Sequence, residues 1–218
     1  MIINETAKSL EEKVYIALED AILAGEYKRG DSLTEMSICK KLGVSRTPVR
    51  SALHRLCEEG LIELMPNRGA VVVGMSDDDL ADIYKIRIKL EGLASAMAAK
   101  RMSDEEKAAL TEAVELSEFY LSKGDVEKLK ELDSTFHIII YKASGNRMLC
   151  KILSELHRNI RSYRKLSLTV PGRLEKSIEE HKKILAAINS GDEKAAEEIT
   201  SRHIENAMNN MIVATKGR

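Results

Sequence analysis

Residues 40–55 read KKLGVSRTPVRSALHR, and this stretch decides the fold of the first part of the chain. Gly43 ends one short amphipathic segment. Ser45 is the expected N-cap of the next helix, whose first turn tolerates Pro48. Two helices joined by a short, glycine-containing spacer are typical of a helix-turn-helix. We therefore expect a recognition helix that begins beside Arg46.

The flanking segments extend this pattern to a winged helix. Apolar residues recur every three to four positions over 7–24, which predicts a first helix that Gly25 ends. Thr34 is the expected N-cap of the second helix. After the third helix, residues 61–64 and 70–73 alternate as strands on either side of a turn, which predicts a β-hairpin. We therefore expect a winged helix-turn-helix domain over residues 1–75.

From residue 76 to residue 218 the pattern is helical throughout, with no sign of a strand. Glycines, capping residues and a proline divide this region into six expected helices. The first begins at Ser76, and the others run from Ser103 to Gly124, from Asp125 to about Ser144, from Arg147 to about Leu168, from Arg173 to about Asn189, and from Asp192 to about Thr215. The expected fold class is mainly α: the winged helix followed by an antiparallel all-α bundle.

Composition limits the function classes. The chain has 218 residues, of which 44% are hydrophobic and 32% charged, so it is not a disordered protein. Three cysteines, an odd number, make no disulfide framework and favour a reducing compartment. No apolar run approaches the roughly 18 residues that a membrane span needs. We expect a cytoplasmic protein with no membrane partner.

The recognition stretch carries positive charge, although the whole chain has a net charge of −1. Residues 40–55 contain five lysines and arginines and no acid, which suits contact with DNA phosphates. The residues expected to contact DNA are Ser45, Arg46, Thr47 and Arg50 on the recognition helix, and Arg68 and Gly69 at the wing tip. A solvated helix face also explains the charge taken alone, and winged helices also serve protein contacts.

The helical region contains a second constellation, made of one carboxylate and three imidazoles. Asp133 and His137 are four residues apart and therefore share a helix face. His181 and His203 lie on the last two helices, at similar distances from the turn that joins them. These four side chains can form a divalent-metal site with open positions. Each histidine taken alone also fits a structural role.

Two further polar residues interrupt apolar helix faces. Arg87 lies within the stripe of the helix that begins at Ser76, and a guanidinium there needs a partner. Two roles therefore remain possible for Arg87: it forms an internal ion pair, or it binds the carboxylate of an effector. Asn159 falls within the apolar face of the fourth helix of the region, where it either caps a helix or binds a ligand.

Two sets of motifs resemble known families. LGVSRTPVR (42–50) and GLIELMPNRGAVV (60–72) resemble the DNA-binding domain of GntR-family bacterial transcription regulators. DSTFHIIIYKASGN (133–146), EEHKKILAAINSGDEKAA (179–196) and SRHIENA (201–207) resemble the FCD effector domain of the FadR-type branch. Met36 departs from the pattern, because some members carry an operator-contacting arginine there.

The resemblance implies a role for each constellation. Arg46, Thr47 and Arg50 would contact an operator, and Asp133 with the three histidines would bind a metal. Small organic acids would be the effectors, and Arg87 would hold them. We expect a homodimeric transcription regulator, a repressor by the commoner mode of the family, that binds a pseudo-palindromic double-stranded DNA operator and a zinc, nickel or manganese ion.

Two other functions fit parts of the pattern. A metal-dependent enzyme would use the Asp133 site for hydrolysis or isomerisation, since a metal bound by three histidines can activate water. We find no spare carboxylate or nucleophile motif beside the ligands, and we expect the protein not to be an enzyme. A metal-dependent assembly or storage module would leave the recognition helix unused.

Overall fold

The computed structural model describes residues 9–23, 25–66, 69–73, 77–160, 163–164, 167–168 and 170–216. The described residues fall into two compact units: the first contains those up to Asp79 together with Asn159 and Ile160, and the second contains the rest. Within the described residues, no helix combines the length and the apolar character that a membrane span requires.

The first unit is the predicted winged helix. Its elements are α1 (Leu10–Leu23), β1 (Ser32–Leu33), α2 (Glu35–Leu42), α3 (Arg46–Glu58), β2 (Ile62–Met65) and β3 (Gly69–Val72). The strands form an antiparallel sheet in the order β1-β3-β2, in which Ile62 pairs with Val72 and Met65 pairs with Gly69. The two-residue strand β1 was not predicted, because the sequence pattern placed Leu33 next to a helix start.

Capping residues explain where α2 begins and ends and where α3 begins. The Thr34 side chain accepts the N–H of Ser37 and so caps α2. Gly43 has φ 67°, and its N–H bonds to the carbonyl of Cys39, which ends α2. Ser45 is extended, as an N-cap residue should be, but its side chain makes no capping hydrogen bond. The Ser45 hydroxyl therefore stays available at the N-terminus of the recognition helix.

Gly69 is needed by the sheet itself. Its φ is +89°, and a Cβ at this position would clash with the carbonyl oxygen of Leu33 on the neighbouring strand. β1 packs against β3 only because residue 69 has no side chain. This explains the wing glycine without any contact with DNA.

The second unit is the predicted helical bundle. Its elements are α4 (Asp77–Arg101), α5 (Asp104–Lys123), α6 (Val126–Ala143), α7 (Arg147–Asn159), α8 (Arg173–Ser190) and α9 (Glu193–Lys216). The Ser103 and Glu106 side chains form the expected capping box at the start of α5. Leu110, Phe136 and Ile184 belong to its apolar core.

The prediction of one helix from Arg147 to Leu168 was wrong, because α7 ends at Asn159. The apolar period continues past this end because two apolar residues that follow it, Ile160 and Leu168, are themselves buried. The same segment carries Arg164, whose guanidinium is buried within the bundle. The apolar periodicity here indicated correctly that these residues are buried. It did not indicate where the helix ends.

Helices α4 and α9 approach closely. A Cβ at Gly92 would clash with the hydroxyl of Ser201, and Thr200 donates a hydrogen bond of 2.7 Å to Ser95. This contact brings the turn of α9 that carries His203 beside the part of α4 that carries Arg87.

Candidate metal centre and nucleic-acid interface

Three histidines from three helices converge inside the bundle. His137 on α6, His181 on α8 and His203 on α9 are all buried, and one ring nitrogen of each lies within 4.8 Å of the others. The ring centroids are 5.4 Å apart for His137 and His181, and 4.8 Å apart for His181 and His203. The similar distances of His181 and His203 from the α8–α9 turn, predicted from the sequence, agree with their lying side by side.

Two carboxylates orient two of these rings. Nδ1 of His137 lies 2.9 Å from Glu91 Oε2, and Nδ1 of His203 lies 2.6 Å from Glu180 Oε2. The Glu180 carboxylate accepts only from a protonated nitrogen, so in the neutral His203 ring Nε2 carries the lone pair, whereas the contact of His137 with Glu91 is an ion-pair contact. Carboxylate–histidine pairs of this kind are the usual support of metal-ligating histidines.

The remaining nitrogens point to a bound cation. Nε2 of His137 and Nε2 of His203 are 3.3 Å apart, a separation that suits two ligands of one cation and also a hydrogen bond between the two rings. Nε2 of His181 is buried and makes no hydrogen bond to any described residue. This donor set fits a divalent metal ion, for which three histidine nitrogens are common ligands.

The surroundings favour the ligating, neutral form of the rings. Burial, together with the neighbouring His203, holds the pKa of His181 well below its ordinary value. Burial also lowers the pKa of His137, although the Glu91 carboxylate acts in the opposite direction. Both rings therefore offer a lone pair at neutral pH.

Asp133 lies beside the histidines, but its carboxylate is engaged by Arg164. Oδ1 is 3.7 Å from Nε2 of His181, and Oδ2 accepts a hydrogen bond of 2.5 Å from Nη2 of Arg164. Burial would raise the pKa of Asp133, but Arg164 and the histidines together hold it below its ordinary value. Asp133 is thus an ionised carboxylate with one oxygen facing the cluster.

Sequence reasoning missed a fourth imidazole next to the cluster. His157 on α7 is buried, and its ring centroid lies 6.1 Å from that of His137. Arg164 Nη1 also contacts its ring, and burial together with this guanidinium holds the pKa of His157 well below its ordinary value. The available signal was the spacing of Leu149, Leu153 and His157, which form the buried face of α7.

Arg87 is fully buried and lies at the cavity beside the cluster. It forms an ion pair of 2.7 Å with Glu91, as one of the two sequence interpretations expected. Its Nη1 makes no hydrogen bond within the described part of the chain, and neither does the Tyr84 hydroxyl beside it. Arg87 therefore keeps an unused donor in addition to its structural pair.

The cavity holds about 20 Å³, room for roughly one water molecule. Tyr84, Arg87, Asp133, His137, Arg164, Arg173 and His203 are among its lining residues. Asn159, at the end of α7, is half-buried and is not among the described residues that line it. An organic acid does not fit this volume unless a lining side chain moves.

The start of α3 presents an exposed polar surface. Ser45, Arg46, Thr47 and Arg50 are all exposed, and the first turn of α3 contains no acidic residue. The Arg50 guanidinium is held by Glu35, the first residue of α2, through hydrogen bonds of 2.8 and 3.1 Å. Arg68, the predicted wing residue, lies outside the described residues.

Family models match both parts of the chain. Residues 10–72 match the gntR family of bacterial regulatory proteins, and residues 82–206 match the FCD domain. The chain belongs to the gntR family of regulators that carry an FCD domain. It is a DNA-binding transcription regulator, as its recognition helix indicates.

Individual relatives agree with this assignment. The chain is 30% identical to the Bacillus subtilis HTH-type transcriptional regulator YdhC, over 87% of this chain and 85% of the relative. It is also 30% identical to the B. subtilis gluconate operon transcriptional repressor, over 79% and 70% of the two chains. The solved structure of Escherichia coli McbR matches with a TM-score of 0.67 and 26% identity, over 97% of this chain and 99% of that one.

Proposed function

We propose that this regulator represses transcription by binding a pseudo-palindromic operator as a homodimer. In this proposal a small organic acid, bound beside a divalent metal in the helical domain, controls operator affinity. One observation carries the proposal: three buried histidines face one another, two of them with Nδ1 against a carboxylate, beside a buried arginine whose Nη1 makes no hydrogen bond to a described residue.

The metal ligands are His137, His181 and His203, with Asp133 as the fourth. Three imidazoles and a carboxylate suit zinc, nickel or manganese. When bound, such an ion supplies a concentrated positive charge that attracts an anionic ligand. Glu180 keeps the His203 ring in the ligating tautomer, Glu91 lies against Nδ1 of His137, and Arg164 pairs with Asp133.

The effector is a small carboxylate. Nη1 of Arg87 lies at the cavity and makes no hydrogen bond to a described residue, and a guanidinium pairs well with a carboxylate. The cavity must enlarge to admit such a ligand, and Arg164 is the side chain whose movement would do this. Asn159 remains a predicted effector contact.

The exposed side chains at the start of α3 contact the operator. Arg46 and Arg50 suit the guanine edge in the major groove, and the Ser45 and Thr47 hydroxyls suit phosphate oxygens. We assign the DNA contact of the wing to Arg68 and Gly69, as the sequence predicts.

A homodimer follows from the symmetry that such an operator requires. The α4 helix offers apolar surface for it, because Ile86 is 47% and Leu93 43% exposed one heptad apart. Leu90 and Met97 continue this stripe as half-buried residues. A second copy of the chain is the partner we assign to this surface.

A metal-dependent hydrolase or isomerase remains the other candidate function. The buried position of the histidines and a cavity of one water molecule disfavour it, because a substrate would need far more room.

The proposal is tested by metal analysis combined with DNA binding. The full chain, purified without added metal, is expected to contain about one divalent ion per chain, and His181→Ala is expected to abolish it. His54→Ala, which removes an exposed histidine of α3, is the control and retains the metal. Arg50→Ala is expected to weaken operator binding by about 1–3 kcal/mol and to keep the metal. A metal-free wild-type protein, or an unchanged metal content in His181→Ala, would contradict the proposal.

A further inference from the structure

The recognition surface contains one acidic residue that is bound to a predicted base-reading arginine. Glu35 begins α2, and Arg50 lies one turn into α3. Arg50 Nε donates to Glu35 Oε1 at 2.8 Å, and Arg50 Nη2 donates to Glu35 Oε2 at 3.1 Å. The pair is therefore bidentate, and it joins the two helices of the helix-turn-helix motif.

Stability does not explain this pair. The Arg50 side chain is 62% exposed and the Glu35 side chain 28% exposed. Ion pairs with this exposure contribute little to the free energy of unfolding. What the pair does is restrict a long side chain that would otherwise sample many rotamers.

The hydrogen bonds leave a particular edge of the guanidinium free. Arginine has five N–H groups, and Glu35 uses the one on Nε and one of the two on Nη2. The two donors on Nη1 and the second donor on Nη2 remain. Parallel donors on Nη1 and Nη2 are the fork that pairs bidentately with O6 and N7 of guanine.

We infer that Glu35 is a positioning residue for operator recognition, which holds Arg50 in the orientation that reads a guanine. This inference rests on the proposed assignment of Arg50 to the operator. It adds Glu35 to the residues that determine recognition, although its negative charge does not suit contact with phosphate. Because Glu35 already orients the Arg50 guanidinium, the Arg50 side chain loses no rotamer freedom when it binds guanine. Glu35 therefore favours binding to the correct base. A differently placed base gains nothing from that orientation.

The Glu35 carboxylate is charged when DNA binds. The hydrogen bond from Arg50 lowers the pKa of Glu35 below its ordinary value. An ionised carboxylate near DNA repels phosphate, so electrostatics alone predicts that its removal strengthens binding to every sequence by a similar factor. Positioning predicts the opposite for the operator, and the two explanations are therefore separable.

The experiment measures specificity with the full chain. A duplex is selected by wild-type protein from a randomised DNA pool, and variants of it are made in which each G·C pair is replaced in turn by A·T. Dissociation constants are measured for wild type, Glu35→Gln, Arg50→Ala and the double variant. Glu26→Gln is the matched control, because Glu26 is an exposed acid of the same domain that pairs with Lys41 at 3.8 Å.

In Glu35→Gln we expect the preference for guanine at one position of each half-site to fall by about fivefold, part of the discrimination that a bidentate pair supplies. Binding to non-specific DNA should stay equal or become tighter, and the thermal midpoint should not change. In the Arg50→Ala background the effect of Glu35→Gln should vanish, because it acts through Arg50. Glu26→Gln should leave the preference unchanged.

Other outcomes overturn the inference in distinct ways. An equal gain in affinity for all sequences in Glu35→Gln would mean that Glu35 only repels phosphate. A loss of preference that persists in the Arg50→Ala background would mean that Glu35 contacts a base itself. If Arg50→Ala keeps the full wild-type preference, the assignment of Arg50 to the operator fails, and the inference fails with it.

Discussion

Arg164 and Asp133 form a buried ion pair that a metal ion would weaken, and this makes Arg164→Met an informative perturbation. The two side chains are 9% and 12% exposed, and their closest N–O distance is 2.5 Å. Methionine keeps most of the volume of the arginine stem and removes its charge. The Asp133 carboxylate is then left buried without its strongest cationic partner.

The size of the effect follows from this burial. Removing one partner of a buried ion pair costs about 3–5 kcal/mol. Because both side chains keep slight exposure, we expect a loss of about 3 kcal/mol in the free energy of unfolding of the metal-free protein. A divalent ion on the histidines replaces the lost positive charge beside Asp133. The variant should therefore bind zinc about tenfold more tightly than wild type, which recovers about 1.4 kcal/mol of the loss.

The assay is urea denaturation of both proteins, once with a chelator and once with a fixed excess of zinc. Arg158→Met is the control, because Arg158 is an exposed arginine on α7. It should change the free energy of unfolding little in either condition. An Arg164→Met loss of the same size with chelator and with zinc would refute the reasoning, because Asp133 would then not sense the metal.

Three further predictions concern the support of the metal site and the wing. Glu180→Gln, which weakens the hydrogen bond that orients His203, should lower zinc affinity by about 10–100-fold in a chelator competition, whereas Glu179→Gln on the exposed face of α8 should not. Burial lowers the pKa of His181 and of His137, so the unfolded chain binds more protons below about pH 6.5. The free energy of unfolding of the metal-free protein should accordingly fall as the pH decreases through that value, and a constant value between pH 7 and pH 5 would contradict this. Gly69→Ala should destabilise the winged helix by roughly 1–3 kcal/mol more than Gly60→Ala, since both glycines have positive φ but only Gly69 faces a backbone atom; equal thermal midpoints would exclude the clash.

The sequence predicted the three histidines because their spacing is a helical property. His137 follows Asp133 by one turn, and His181 and His203 lie at similar distances from one tight turn. Such distances along helices are fixed by the rise per residue, so they can be computed before the fold is known. The winged helix was predictable for a similar reason, since glycines and caps mark its helix ends.

The orienting residues could not be predicted in this way. Glu91 lies one turn after Arg87, and this spacing is equally common for exposed pairs on a helix surface. Glu180 stands in the run EEHKK (179–183), which resembles a solvated face. Arg164 follows the end of α7, where no helical period relates it to Asp133. Each of these contacts depends on packing between helices that are distant in the chain.

In the function that we propose, the histidine cluster transmits the presence of a small acid to the operator. Its most direct test is fluorescence anisotropy of a labelled, selected operator duplex, with a panel of small mono-, di- and tricarboxylates as the probes. We predict that at least one acid lowers the operator affinity of metal-loaded wild type by tenfold or more. The acid should have no such effect on chelator-treated protein or on the His181→Ala, His203→Ala double variant, both of which should still bind operator. An acid that releases the operator equally from the metal-loaded protein and from the double variant would contradict the account.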